Sequence, residues 1–588
     1  MTKNRARYLI TTSDESTWKF DRPVIFLGEW CLLYDRKHIW EKMDAIVAEP
    51  YGSDNSSRDS DNAQARDFEI KIFSRLCSSL NHYHGKQYSQ RFWKILLGHW
   101  LRHNIDVTLN RVKTLEKCLQ KYPISGMTVY DKDDFSLAPD DFKSTIAIFS
   151  DNRWNNILYE RILNLLGISL PSIEIIKIYS GFPSSRVKIN PSKIFLKWVY
   201  KYVGLLLSFF IRDTDAFIIN SYLPKKEEVK LHLALSQLPQ FWGNSNFKVN
   251  KKPNLIIRQK LANELAQKSS TSLIKILSLM IFELMPISFL EGFLNLNNFS
   301  KKQHWPKNPK FIFTSNNYYN DDVFKVWAGN KVELGTKYFI GQHGNNNGTA
   351  KYLYGVNEEV TSDKYLTWGW TDELLHHTPA FVFKTTGRAS GNYNSEGQIL
   401  LIQLHFTHRI HTWDTSFLFC NYFKEQQDFV SGLNTLAKER LTIRLHPAFR
   451  QFNWGEESRW KDFDCSLKVD TSNIDIQQLI AQSRLVIHSY DSTGILETLS
   501  LNIPTLAFWQ NDLHHLRESA KPYYQLLIDA EIIHFTPESI AQKINEIWND
   551  IDNWWNQKNI QDSRIKFCNQ YAKQSQNPIH ELKKILLK

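Results

Sequence analysis

The stretch Arg484-Leu-Val-Ile-His488-Ser-Tyr-Asp-Ser492-Thr493-Gly494-Ile-Leu-Glu497 decides how this chain folds. Residues 484–487 read as a short buried strand, and Ile495, Leu496 and Leu499 then recur at helical spacing. Ser492, Thr493 and Gly494 therefore open a helix. Unpaired N–H groups and the positive end of the helix dipole favour an anion at such a start. Upstream, Ile476, Leu479 and Ile480 mark a preceding helix, and Leu501-Asn-Ile-Pro-Thr-Leu-Ala-Phe508 supplies the next strand. This αβαβ succession implies a parallel sheet with its ligand outside the carboxyl ends of the strands. A second strand end points the same way, because Arg444-Leu-His446-Pro447 delivers a cationic pair into a loop. Each feature has a plain alternative: Ser and Thr cap helices that bind nothing, and Pro stops strands. Together they predict a phosphate grip, with Glu497 one turn into its helix and placed to accept from ribose hydroxyls.

A chain of 588 residues exceeds a single core, so two domains are expected, with three possible. Hydrophobic residues at 42% and charged residues at 23% describe an ordinary globular protein. The 72 Lys and Arg against 61 Asp and Glu give +11, which favours an anionic partner: a nucleotide, a phospholipid surface or an acidic glycan. The 19 Trp and 24 Tyr suit sugar faces, although most will be core. Six cysteines without CxxC spacing indicate neither a zinc site nor a disulfide framework, and imply a reducing compartment. The N-terminus shows no signal-peptide core, so a cytoplasmic location is expected. The very apolar stretch 195–211 holds Lys197 and Lys201 and is read either as a membrane-interface segment or as a buried helix. Residues 273–294, broken by Glu283 and Pro286, are a second such candidate.

Short apolar runs also punctuate the N-terminal two-thirds, beginning at Tyr8, Val24, Ala45, Thr145, Ala216, Leu255, Phe311 and Tyr338. They predict a further α/β unit with helical insertions. Residues 53–62 read as a polar loop and 385–397, with three glycines, as the interdomain linker. The expected division is an acceptor-side Rossmann-like domain at 1–390, a donor domain at 391–560, and a C-terminal helix at 561–588. Two loops of the first domain carry candidate chemistry. Asp14 and Glu15 follow the first strand, where a carboxylate can serve as general base or cap a turn. His343 sits in Gly341-Gln-His-Gly-Asn-Asn-Asn-Gly348, a loop rich in donors and acceptors whose glycines allow close backbone approach. Glu358, Glu359 and Asp363 follow it, each a catalytic carboxylate or a surface charge. Nothing resembles a DxD metal loop at a strand end.

The combination Ile10-Thr-Thr-Ser-Asp-Glu-Ser-Thr-Trp, Phe26-Leu-Gly-Glu-Trp, Gly341-Gln-His-Gly, Thr367-Trp-Gly-Trp, Arg444-Leu-His-Pro and His488-Ser-Tyr-Asp-Ser-Thr-Gly resembles a family of transferases. These are encoded in bacterial O-antigen and capsule gene clusters and include a pseudaminyltransferase. The resemblance spans nearly the whole chain. More distantly, the second domain is similar to bacterial sialyltransferases, capsule Kdo transferases and CDP-glycerol glycerophosphotransferases. The resemblance implies an α/β protein of GT-B fold: two Rossmann-like domains facing across a cleft, with a C-terminal helix crossing back. It implies that His446 and Pro447 shape the CMP phosphate site, that Ser492 and Thr493, beside Gly494, hold its oxygens, and that Glu497 lies near the ribose. Arg444 is assigned to the phosphate on charge alone. The acidic sialyltransferase motif is here Asp14-Glu15-Ser16, without its glycine.

The function expected is transfer of a nonulosonic acid from its CMP-activated donor, a co-substrate, to an oligosaccharide or lipid-linked glycan. No cofactor or metal is expected, and no nucleic acid partner. Asp14, Glu15, His343 and Glu359 are the candidates for base or nucleophile. A CDP-alditol phosphotransferase and a non-catalytic scaffold of polysaccharide assembly are the alternatives. Peripheral contact with an anionic membrane at the inner face of the inner membrane is compatible with the basic charge.

Overall fold

In the computed structural model of the chain, most of the apolar runs pair into three sheets. Residues 5–588 are described, apart from 133–134, 178–209, 244, 268, 354, 373, 375, 406–415, 453 and 511. Every adjacent strand pair is parallel. Parallel sheets are covered by helices on both faces, which is why most of these strands are continuous apolar runs rather than alternating ones. The first sheet holds β1 Arg7–Ile10, β2 Val24–Phe26, β3 Ala45–Val47, β4 Ile124–Tyr130 and β5 Ile173–Ile176 in the order β3-β2-β1-β4-β5. The second holds β6 Phe217–Ile218, β7 Phe311–Thr314, β8 Lys337–Gly341, β9 Lys364–Thr367 and β10 His377–Pro379 in simple succession. The third holds β11 Gln398–Ile402, β12 Leu441–Arg444, β13 Lys468–Asp470, β14 Ser483–His488, β15 Thr505–Phe508 and β16 Ile533–His534. Its order is β13-β12-β11-β14-β15-β16, the Rossmann 3-2-1-4-5-6 pattern.

The α/β class and the Rossmann-like build are as the sequence predicts, with three parallel sheets among the described residues. The described residues of 1–390 form two sheets, separated by the helix pair Asn55–His84 and Gln90–Lys121 and by further helices. The polar run 53–62 is not a loop. Asp54 caps it, accepting from Ser57 N at 2.8 Å, and a 30-residue helix follows. Its core face, Ala65, Phe68, Ile72, Leu76 and Leu80, begins only beyond that run, so no apolar periodicity marks the first turns. Gly85 ends this helix in the left-handed region at φ 60°. The apolar runs at Thr145 and Leu255 are likewise helical, within Phe142–Ile148 and Leu255–Ala266. Asp141 and Asn254 cap them. In the second run, Leu255 and Ile256 point outward, which a buried strand does not allow.

The apolar stretch 273–294 contains helix Ser272–Leu284, whose Met280, Ile281 and Phe282 are fully buried in protein core rather than facing lipid. Among the described residues no helix is long and apolar enough to cross a membrane. The stretch 195–211 lies outside the described residues except for its last two. The C-terminal region forms two helices. Lys558–Tyr571 stays on the third unit, where Arg564 Nη1 donates to Leu499 O at 2.8 Å. The chain then pairs with the second unit through Lys573 N to Trp368 O at 2.9 Å. Helix Pro578–Leu587 buries Leu582 and Leu586 in the second unit's core.

Candidate functional site

In a 3-2-1-4-5-6 sheet the connections diverge at one point, here between β11 and β14, and a crevice opens beyond their carboxyl ends. His446, just past β12, lies at that edge. Its ring stacks on His405, past β11, with centroids 4.9 Å apart and planes 11° from parallel. Nδ1 of His446 accepts from Ala448 N at 3.2 Å, so the neutral ring carries its proton on Nε2. Partial burial and the nearby Arg444 charge lower its pKa. Pro447 follows on the exposed rim.

Arg444 does not join them. Its guanidinium is buried and committed: Nη1 donates to Asp470 Oδ2 at 2.6 Å and Ser472 O at 2.8 Å, and Nη2 to Ile474 O at 3.0 Å. It pins the 470–474 turn.

Beyond β14, Ser492 caps helix Thr493–Ser500 by accepting from Ile495 N at 3.3 Å. A Cβ on Gly494 would stand 2.5 Å from Cε1 of His488, so the glycine serves close packing on that buried ring. Thr493 Oγ1 accepts from Asn345 N of the second unit at 3.2 Å. Glu497 accepts from Gln477 Nε2 at 3.0 Å and lies 3.5 Å from Lys384 Nζ.

The third sheet thus meets the carboxyl edge of the second. Asn345 also donates to Asp491 Oδ1 at 2.6 Å, and Asp491 accepts from Tyr524 and faces His515 Nε2 at 2.8 Å. His343, two residues before Asn345, has Nδ1 3.0 Å from Tyr318 Oη. Burial, with help from Lys384, lowers its pKa to about 4, so it is neutral at neutral pH. Lys384 Nζ lies 4.9 Å from the centre of the Tyr222 ring, which is 6.2 Å from the His343 ring. Asn220 and Tyr222, directly after β6, take positive φ angles of 46° and 64°, rare for non-glycine residues and common where a site holds its backbone under constraint.

The other acidic candidates stand apart from this wall. Asp14 caps a short turn, accepting from Ser16 N at 2.9 Å, and also accepts the Tyr130 hydroxyl at the first sheet's own switch point, between β1 and β4. Glu15 is paired in two-pronged fashion with Arg36 at 2.6 and 2.9 Å. Near them Tyr34 reaches the third unit, donating to Asp462 at 2.8 Å. Glu359 is fully buried, accepts from Gly355 N at 3.0 Å and lies 3.7 Å from Arg517. Burial raises its pKa to about 8 against the pull of Arg517.

The structure therefore brings His446, Ser492, Thr493, Gly494 and Glu497 to the third sheet's edge, and the loop that carries His343 meets that edge through Asn345. Arg444 and Glu359 lie inside. Lys384, Tyr222, Tyr318, Asp491 and His405 are neighbours that sequence reasoning passed over. For Tyr222 a signal existed, since it closes the polar triplet after the apolar run Ala216-Phe-Ile-Ile. Lys384 follows Phe381-Val-Phe and carried none. Among the described residues no group of three His, Cys, Asp or Glu side chains is placed to hold a metal ion.

Fold and site together define an α/β protein whose Rossmann-type ligand crevice is faced by the polar loops of another parallel sheet. The chain belongs to the LIC12162 family of transferases, whose family profile matches residues 7–586. No curated protein matches the sequence. Among solved structures, the chain is similar to the spinosyn rhamnosyltransferase SpnG in complex with spinosyn aglycone, at 11% identity over 63% of this chain and 100% of that one, with a TM-score of 0.31. MurG of Acinetobacter baumannii is similar at 10% identity over 50% and 77%, TM-score 0.30. WaaG, a glycosyltransferase involved in lipopolysaccharide biosynthesis, is similar at 11% identity over 50% and 95%, TM-score 0.25. Likenesses of this size say nothing about activity.

Proposed function

We propose that this transferase is a glycosyltransferase that moves a nonulosonic acid, of the pseudaminic or sialic acid type, from its CMP-activated form to a sugar hydroxyl in capsule or O-antigen assembly. One observation carries the reading: the third sheet's switch point places the start of helix Thr493–Ser500 and the His405–His446 stack at one edge, opposite Lys384 and His343. In this reading the nucleotide lies on the third unit. As the bond from the anomeric carbon to the phosphate breaks, the electron pair passes to the phosphate oxygen. Fixed dipoles and cations stabilise that growing charge more than they stabilise the ground state. The acceptor hydroxyl approaches from the facing units and gives up its proton to a base. Glu15, paired with Arg36, and Glu359, buried, are poorly available for that task, which leaves Asp14 and His343. The acceptor is an oligosaccharide or a lipid-linked glycan. The net charge of +11 supports peripheral contact with an anionic membrane.

The test is CMP release from several CMP-nonulosonates, each offered with a panel of glycan acceptors. Acceptor-dependent CMP release is expected. No turnover of any of them, together with rapid consumption of CDP-glycerol or CDP-ribitol, overturns the reading in favour of an alditol phosphotransferase.

A further inference from the structure

Tyr318 is 3% exposed, at the start of helix Asn317–Asn320 beyond β7. Among the described residues, the hydrogen-bond partner of its hydroxyl is Nδ1 of His343, at 3.0 Å. A buried hydroxyl that accepted from Nδ1–H would be left with its own proton unsatisfied, and an unmade buried hydrogen bond is costly. The phenol instead donates to Nδ1. A neutral imidazole that accepts at Nδ1 carries its proton on Nε2. The ring is half-buried beside Gly344, whose Cβ position would lie 3.2 Å from Thr493 Oγ1 at the opposing helix start. On the same wall Tyr222 and Lys384 extend the polar surface, with Lys384 3.5 Å from the Glu497 carboxylate.

We infer that His343 works as a hydrogen-bond donor, presenting Nε2–H with Lys384 to an anionic group of the donor substrate, its phosphate or its sugar carboxylate, and that Tyr318 positions it for this. The inference rests on the glycosyl-transfer reading for its ligand but not for its tautomer. A ring protonated on Nε2, with Nδ1 engaged by Tyr318, has no lone pair to offer an acceptor hydroxyl. The acceptor's proton must therefore leave to another group, for which Asp14 remains the candidate. His343 contributes instead where negative charge grows on the leaving CMP oxygen or rests on the sugar acid. The neutral ring suits that task, because a fixed N–H dipole needs no proton transfer to act.

The tautomer is measured directly on 15N-histidine-labelled full-length protein at pH 7 by nitrogen–proton correlation, with the His343 signal identified by its loss in His343→Gln. The Nε2-protonated form is expected in the unmodified chain. A shift toward the Nδ1-protonated form is expected in Tyr318→Phe. An Nδ1-protonated ring in the unmodified chain overturns the inference, whatever the substrate proves to be, and that reading stands even if Tyr318→Phe fails to fold. Once a CMP donor is in hand, His343→Gln, which keeps an N–H near the Nε2 position, should retain kcat/KM within about tenfold. His343→Ala should lose about 10²–10³-fold, the usual effect of removing one such donor. Equal loss in both variants would mark the histidine as a base and reject the donor role.

Discussion

Replacing Arg444 with Met keeps an apolar stem and removes the guanidinium that holds the 470–474 turn. The variant strands Asp470, whose side chain is only 13% exposed, and leaves Ser472 O and Ile474 O without their donor. Breaking a buried ion pair by removing one partner costs about 3–5 kcal/mol, because the remaining charge stays buried and unpaired. A unit of this size loses about 2–4 °C in Tm per kcal/mol, so its melting transition should fall by on the order of 10 °C. Burial pushes the Asp470 carboxyl up, but hydrogen bonds from Ser472 and the charge of Arg444 outweigh it and hold the group below its ordinary range. A carboxylate depressed in the folded state adds stability above its unfolded pKa, and that stability is lost as pH falls through the folded value. The gap between parent and variant should therefore narrow below about pH 4. Calorimetric melting from pH 3 to 8, paired with CMP titration well below the transition, checks both parts. CMP affinity is expected to stay within about threefold. Normal melting with a tenfold or greater loss of CMP affinity, about 1.4 kcal/mol, would refute the structural role and return this arginine to the phosphate.

His446→Ala should slow CMP-donor turnover by about 10–100-fold, equivalent to one charge-assisted contact of roughly 1.5–3 kcal/mol, with melting unchanged because the residue is exposed. Unchanged kinetics would remove this histidine from the site. Glu359→Gln should stabilise the protein at pH 8 and much less at pH 5. Its carboxyl, raised to about 8 by burial against the pull of Arg517, contributes stability in full below the unfolded value near 4.5 and loses it as pH rises through about 8. A melting-temperature difference independent of pH would contradict this. Gly494→Ala should cost about 1–3 kcal/mol in urea unfolding. Its new Cβ meets a His488 ring locked by Ser492 at 3.2 Å and Thr498 at 3.3 Å; a neutral result would show that the ring can move.

Strands β12, β14 and β15 of the third sheet were legible because a parallel sheet buries both faces of its inner strands, which makes them short, mostly apolar runs, whereas the edge strands Lys468–Asp470 and Ile533–His534 carry no such run. That logic weakens where burial is one-sided or delayed. The helix from Asn55 opens with exposed polar turns, and its only early signal is the Asp54 cap. The separation of residues 1–390 into two sheets depends on which strand ends pair across long stretches of chain. No local pattern encodes that.

Site chemistry shows the same divide more sharply. Strand-end position was readable for Arg444 and His446, and Glu359 stood out only as a carboxylate after the glycine-rich loop, yet their availability differs, and availability is set by partners distant in sequence. Arg444 is consumed by carbonyls 28 and 30 residues downstream. Glu359 is enclosed by Arg517 from another unit, while His343 has its protonation geometry fixed by Tyr318, 25 residues upstream. A cation whose terminal nitrogens already hold a buried carboxylate and two backbone carbonyls loosens its own turn if it swings to a phosphate. A half-exposed imidazole with one nitrogen already satisfied can donate from the other at no such cost. The anion site of this transferase should accordingly be sought in Lys384, His343 and the start of helix Thr493–Ser500 before Arg444, although Arg444 carries a full charge at the end of its strand.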